Sequence, residues 1–277
     1  MGRSWEQGWA LVHWTTRGTA SWGQMLGCLL IALFLGPRAL AQSVATQPSP
    51  DAPQIVAQLM RRNQDRASML RHYESCRHYL LDYSGLPSDK SAEMVVDMQY
   101  TAPAEKKFRI VSENGTRLLV NRVLKELLEN EKEALDEQNQ GRTSLTPDNY
   151  EFRVAGTDSI RGRPQYVMEV IPRSKNKYLY RGRIWVDAAD FAVSRISAEP
   201  AKNPSFWISH TEIEHEYAKI GDFWLPAHNV SVSKIRFGGT AKLKIDYLNY
   251  RIGVQKQTPS PDVCSGLQHQ MQLSEKQ

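Results

Sequence analysis

The sequence predicts an α+β fold: a curved antiparallel sheet of about nine strands covered by two or more helices. Three observations predict it. Between Asn149 and Ile252 apolar and polar residues alternate in segment after segment, with Gly, Pro, Asp or Asn at nearly every break, the pattern of an antiparallel meander. Two earlier stretches, on either side of three further alternating segments, instead carry apolar residues at spacings of 3 and 4, the helical period. Strands also follow strands without an intervening helix, which argues against a parallel, doubly wound sheet.

The chain opens with an address. Arg3 and Arg17 precede an apolar run from Met25 to Leu35, and Ala39-Leu40-Ala41 supplies the small residues that a signal peptidase reads. The run is too short to span a bilayer comfortably. Residues 1–41 therefore read as a signal peptide cleaved before Gln42, for export to the periplasm, with an uncleaved anchor as the alternative. Residues 42–51, rich in Pro and Ser, read as a flexible linker.

Asp51 is placed to cap a helix with Pro53 in its first turn, and Val56, Leu59, Met60, Ala67 and Leu70 share one face of it. Cys76 to Tyr83 switches to alternation and forms a first strand, ended by Gly85-Leu86-Pro87. Met94 to Tyr100 is a second, broken by Pro103, and Lys107 to Ser112 a third, followed by the turn signal Asn114-Gly115. A second helix runs from Arg117 to Leu135, with Leu119, Val120, Val123, Leu124, Leu127, Leu128, Glu131 and Leu135 along one stripe. A polar loop over 136–148 then leads into six strands, read from Arg163 onwards. Residues 52–256 thus form a single domain, and 257–277 a polar tail.

One face of this sheet is apolar and aromatic, the other mostly charged. Met94, Val96 and Met98 share a face, as do Tyr166 and Met168, Tyr180 and Ile184 around Gly182, Trp207 and Ile213, and Leu243 and Ile245. Two helices of this size cannot cover nine twisted strands tightly, so the sheet should curl around them. Either the core is filled, or a cavity between sheet and helices takes an apolar ligand. The residues named, with Val123 and Leu127 of the second helix, are the candidate lining.

Composition narrows the function classes. The formal charge is +5; Arg3, Arg17 and Arg38 against Glu6 leave 32 basic and 29 acidic residues after position 41. That mixed surface has no basic cluster interleaved with aromatics, so nucleic acid is not an expected partner. Beyond the signal remain Cys76 and Cys264, a candidate disulfide in an oxidising compartment, the alternative being two buried or reduced thiols. No nucleophile elbow, phosphate loop or C-x-x-C occurs, and His215-Glu216 lacks the second histidine of a zinc protease, Lys219 standing there instead. His210, Glu212, Glu214 and Glu216 on one strand face, with His228 nearby, read as a solvated acidic edge and not as a metal site. Arg181 and Arg183 beside Trp185 read as an exposed strand face. No catalytic residue, cofactor or metal is expected, and no enzymatic activity.

The Tyr-rich opening MLRHYESCRHYLLDYSG, the hairpin Gly182-Arg183-Ile184-Trp185-Val186-Asp187 with Ala192-Val193-Ser194-Arg195, and Phe223-Trp224-Leu225-Pro226 together resemble the periplasmic lipoprotein-carrier superfamily, over roughly Pro53 to Ile252. That superfamily includes the Lol carrier and its receptor and the amino-terminal domain of a regulator of the envelope stress sigma factor. The resemblance implies a half-barrel with helices as a lid over an apolar cavity that takes a lipid or lipoprotein acyl chain. The alternative it implies is an envelope sensor or scaffold with a filled core and a protein partner. The carriers' lid-locking arginine matches no single position; Arg77 and Arg109 are candidates by location.

Overall fold

The computed structural model describes residues 50–103, 105–133, 143–176, 178–203, 206–236, 238–253 and 263–266. The export signal and most of the linker and tail lie outside the described residues. The first helix, α1, is Ala52–Met69. Its N-terminus is a capping box: the Asp51 carboxylate accepts from the Gln54 backbone N–H at 2.9 Å, and the Gln54 side chain accepts from the Asp51 N–H. Three strands follow, β1 (His72–Ser84), β2 (Lys90–Thr101) and β3 (Glu105–Gly115). The second helical stretch, α2, is continuous from Arg117–Leu119 through a π-helical turn, Val120–Leu124, to Lys125–Glu133.

Seven strands, not the six expected, complete the chain: β4 (Tyr150–Ile160), β5 (Arg163–Pro172), β6 (Tyr180–Asp187), β7 (Val193–Pro200), β8 (Ile208–Ile220), β9 (Phe223–Ile235) and β10 (Thr240–Ile252). The strand missing from the sequence reading is β4. It is an edge strand, mostly exposed on both faces beyond Phe152, and a bulge at Val154/Gly156 shifts its alternation. Its hairpin closes through Arg161 and Gly162, both at positive φ (51° and 76°), a tight turn of the type usually announced by Asn-Gly.

All ten strands form one curved, unclosed antiparallel sheet in the order β3-β2-β1-β10-β9-β8-β7-β6-β5-β4. Between the two edges, β3 and β4, the chain runs through α2. Each helix covers one half of the inner face. Ile55, Val56 and Leu59 of α1 pack on Tyr150, Met168, Val170, Tyr180, Ile184, Val186 and Ile196 of β4–β7. Val120, Leu124, Leu127 and Leu128 of α2 pack on Tyr79, Leu81, Met94, Val96, Leu243 and Ile245. A third cluster, with Tyr73, Met98, Tyr100 and Leu225, closes one end of the sheet. Arg66 fastens the end of α1 to the β6–β7 turn, donating to the carbonyls of Asp190 and Phe191 at 2.9 Å each. None of the described helices is long and apolar enough to cross a membrane.

At Gly182 the backbones of β6 and β7 leave no room for a side chain. A Cβ there would lie 2.2 Å from the Ser197 carbonyl oxygen and 2.6 Å from the Ala198 Cα, both backbone atoms that cannot swing aside. Gly182→Ala should therefore cost about 1–3 kcal/mol, as overpacking does, read as a lower urea midpoint at unchanged slope. An unaltered midpoint would mean that the two strands have slack.

Candidate functional site

The two helices leave the middle of the inner face, over β8, β9 and β10, less closely covered than its flanks. A cavity of about 210 Å³ lies there, with α2 as its roof. Its apolar wall is Leu119, Val123 and Leu127 of α2 with Leu81, Ile213, Ile235 and Leu243 of the sheet. Beside the sheet residues stand Thr211, Asn229, Ser231 and Ser233. A smaller cavity of about 100 Å³ lies against α1 near the other end of the sheet, beside Arg66, Tyr217 and Trp224.

The residues expected to line a cavity divide accordingly. Val123, Leu127, Ile213 and Leu243 do line the larger cavity, and Tyr180 lines the smaller. Met94, Val96 and Ile245 are buried beneath α2, Met98 in the end cluster, and Met168 and Ile184 beneath α1, where Tyr166 packs partly buried. Trp207 lies outside, more than half exposed. A bulge between Ile208 and His210 breaks the alternation, so that Ile208 is buried and Trp207 is not.

Exposed apolar side chains neighbour several of the lining residues. Leu118 precedes the lining residue Leu119, and the Leu86 carbonyl accepts from the hydroxyl of the lining residue Tyr83 at 2.7 Å. The Trp207 carbonyl accepts from the N–H of Arg236, next to Ile235, and Phe206 packs edge-on against Trp207 beneath the Arg236 guanidinium. Four of the seven exposed large apolar side chains among the described residues, Leu86, Leu118, Phe206 and Trp207, thus belong to segments bonded to or adjoining lining residues.

A buried ionic cluster holds the roof down. Arg77 of β1 donates to the two carboxylate oxygens of Glu131 in α2 at 2.6 and 3.1 Å, and Lys106 of β3 donates to the same carboxylate at 2.5 Å. The Arg77 guanidinium lies 5.3 Å from the Phe108 ring centroid and 5.1 Å from that of Tyr247. Burial alone would raise the Glu131 carboxyl, but Arg77 and Lys106 outweigh it and hold it at about 2. Burial pulls the Lys106 ammonium down, only partly offset by Glu131. Of the two arginines proposed as a lock, Arg77 is the one joined to α2; Arg109 lies on the outside of the sheet, paired with Asp97. Its signal was its position: Arg77 shares the inward parity of Tyr79, Leu81 and Tyr83, and Glu131 interrupts the leucine stripe of α2.

His215 is fully buried on the inner face, stacked on Tyr217 with centroids 4.6 Å apart, and its Nδ1 accepts from the Asn229 amide at 3.3 Å. Burial pushes its imidazole down to about 3, so it is neutral at physiological pH. His228 lies opposite Glu216, next to a bulge at Glu216/Tyr217. It contacts Asp246 at 2.5 Å. On the outer face, Trp185 donates to Asp158 and lies under Arg195, which itself pairs with Glu214. Cys76 and Cys264 are joined with an S–S distance of 2.02 Å, packed against Val95 and Val263. Asp97 lies near these sulfurs, but with the thiols bonded to each other they offer a metal no thiolate.

No curated protein matches the chain. The model of a family of unknown function, DUF5686, matches residues 143–250, which take in nearly all of the seven-strand meander and leave out α1, β1–β3 and α2. Solved structures similar to it include a DUF1329 family protein from Desulfovibrio piger, 14% identical over 76% of this chain and 96% of that one, with a TM-score of 0.38. A putative outer membrane lipoprotein-sorting protein domain from Vibrio parahaemolyticus is 14% identical over 75% and 96%, with a TM-score of 0.35. A LolA superfamily protein from Nitrosomonas europaea is 11% identical over 75% and 96%, with a TM-score of 0.32. At these scores the functional reading rests on the site itself.

Proposed function

We propose that this is an exported, non-enzymatic, carrier-like protein of the bacterial envelope, which holds a lipid or lipoprotein acyl chain between the sheet and α2 as its lid. The observation that carries the reading is the cavity of about 210 Å³ between sheet and α2, walled by Leu119, Val123, Leu127 and Leu243. The disulfide is in keeping with an oxidising compartment such as the periplasm.

As it stands the cavity exceeds the roughly 150 Å³ that holds a benzene but falls below the roughly 300 Å³ where drug-sized pockets begin. A short acyl segment fits, at about 0.8 kcal/mol for each CH₂ buried, and a longer chain requires α2 to lift. The π-helical turn at Val120–Leu124, in the middle of the roof, is a suitable place to flex, and the Arg77–Glu131–Lys106 cluster is the latch.

The test is uptake of a neutral fluorescent probe, N-phenyl-1-naphthylamine, by the exported chain. Val123→Asp puts a carboxylate into the apolar wall and should weaken uptake by about 100-fold, the cost of leaving it without a partner being several kcal/mol. Equal uptake by wild type and variant, or none by a folded wild type, would move the reading to a scaffold with a protein partner.

A further inference from the structure

The floor of the cavity is polar where burial of apolar surface would have it otherwise. In β9 the run Asn229-Val230-Ser231-Val232-Ser233 alternates cleanly, and hydrophobicity alone would turn the two valines inward. The sheet does the opposite. Ser231 lies opposite Ile213 of β8 and Leu243 of β10, both inward-facing, and Asn229, Ser231 and Ser233 all line the cavity. Val230 and Val232 are left on the outer face. Asn229 and Ser233 are 3% and 1% exposed.

Part of this polar row is satisfied internally. Thr211 and Ser233 share a hydrogen bond of 2.9 Å, and Asn229 gives one N–H to His215. Ser231 makes no side-chain hydrogen bond among the described residues, and the Asn229 amide retains its carbonyl oxygen and second N–H. The row carries no charge: His215 behind it is neutral. The guanidinium of Arg77, four residues before the lining residue Leu81 in β1, is occupied by Glu131. A carboxylate seated on the floor finds hydrogen-bond donors but no cation among the lining residues to offset its desolvation.

We infer that the occupant is an uncharged amphiphile whose ester, amide or hydroxyl group hydrogen-bonds to Ser231 and Asn229 while its chain lies on Leu119, Val123, Leu127 and Leu243. This rests on the cavity reading above and adds the chemical class to it. A neutral acyl ester satisfies the apolar and the polar parts of the lining at once; a bare hydrocarbon leaves the floor unpaired, and a free fatty acid brings a charge that no lining residue meets.

The experiment is displacement of N-phenyl-1-naphthylamine at pH 8 by 1-decanoylglycerol and by decanoate, on the exported chain and two variants. The wild type should prefer the ester by about tenfold or more, because no lining residue offsets the desolvation of the carboxylate. Ser231→Ala should weaken ester binding severalfold, about what one buried hydrogen bond contributes, while the probe itself binds as before, and Ser231→Thr, which keeps the hydroxyl, should retain it. If ester and carboxylate displace the probe equally, or if the ester binds Ser231→Ala as tightly as wild type, the class is wrong and the cavity reading stands. If a folded wild type takes up no probe, both fall together.

Discussion

Glu131→Gln should destabilise the closed protein by about 3–5 kcal/mol, the scale of a broken buried ion pair. Removing Arg77 as Arg77→Met should cost less, although Arg77 is the more deeply buried of the two. The order follows from counting charge. Arg77 and Lys106 share one carboxylate. Taking away Arg77 leaves a neutral Lys106–Glu131 pair; taking away Glu131 leaves two buried cations facing each other. Because the Glu131 carboxyl is held at about 2, its contribution is complete above the unfolded value near 4.3 and is lost as the pH falls from there towards 2. Roughly 3 kcal/mol should disappear over that window in the wild type and be missing from the Glu131→Gln protein at every pH. Urea unfolding at pH 7, 5 and 3 measures the global part, and hydrogen exchange of the α2 amides detects a lid that lifts without unfolding the sheet. Parallel pH curves for the two proteins would remove the latch from the account.

Reduction of the Cys76–Cys264 bond should cost about 3–5 kcal/mol. The bond joins residues 188 apart in sequence, and closing a loop of that length removes about 5 kcal/mol of unfolded-chain entropy in the simplest model. Its place in the sheet explains why so long a loop is closed there. Cys76 lies in β1 opposite Leu248 of β10, and Cys264 follows β10, so the bond sits beside the pairing that joins the two ends of the chain. Guanidinium unfolding with and without reductant measures it. A midpoint that does not move would mean that β1 and β10 hold together by their ladder and apolar contacts alone.

Much of the fold was legible because it is written in period. The Asp51 cap, the α1 and α2 stripes and nine of the ten strands follow directly from spacing. What was lost, was lost where period fails. Edge strand β4 buries too little for its alternation to show, and the bulge at the start of β8 shifts its alternation, which put Trp207 inside. The site was half legible. Val123, Leu127, Ile213 and Leu243 announce themselves as apolar residues on the right faces. The polar floor does not, since Asn229, Ser231 and Ser233 face inward against their own hydropathy, and only the pairing of β9 with β8 and β10 turns them there. Arg77 and Glu131 were visible one at a time, as charges on two apolar faces; that they meet is a fact of packing.

The order of the strands also sets a timetable. Of the nine strand pairings, eight join consecutive strands through short turns or loops, and only β1 with β10 joins residues far apart in the chain. The sheet can therefore grow as two ribbons, one of three strands and one of seven, each zipping locally, before the two meet along a single seam. Local pairings form quickly and distant ones wait for the chain to bring their ends together. Until that seam closes the inner face has no middle, and α2 has only half a floor to settle on.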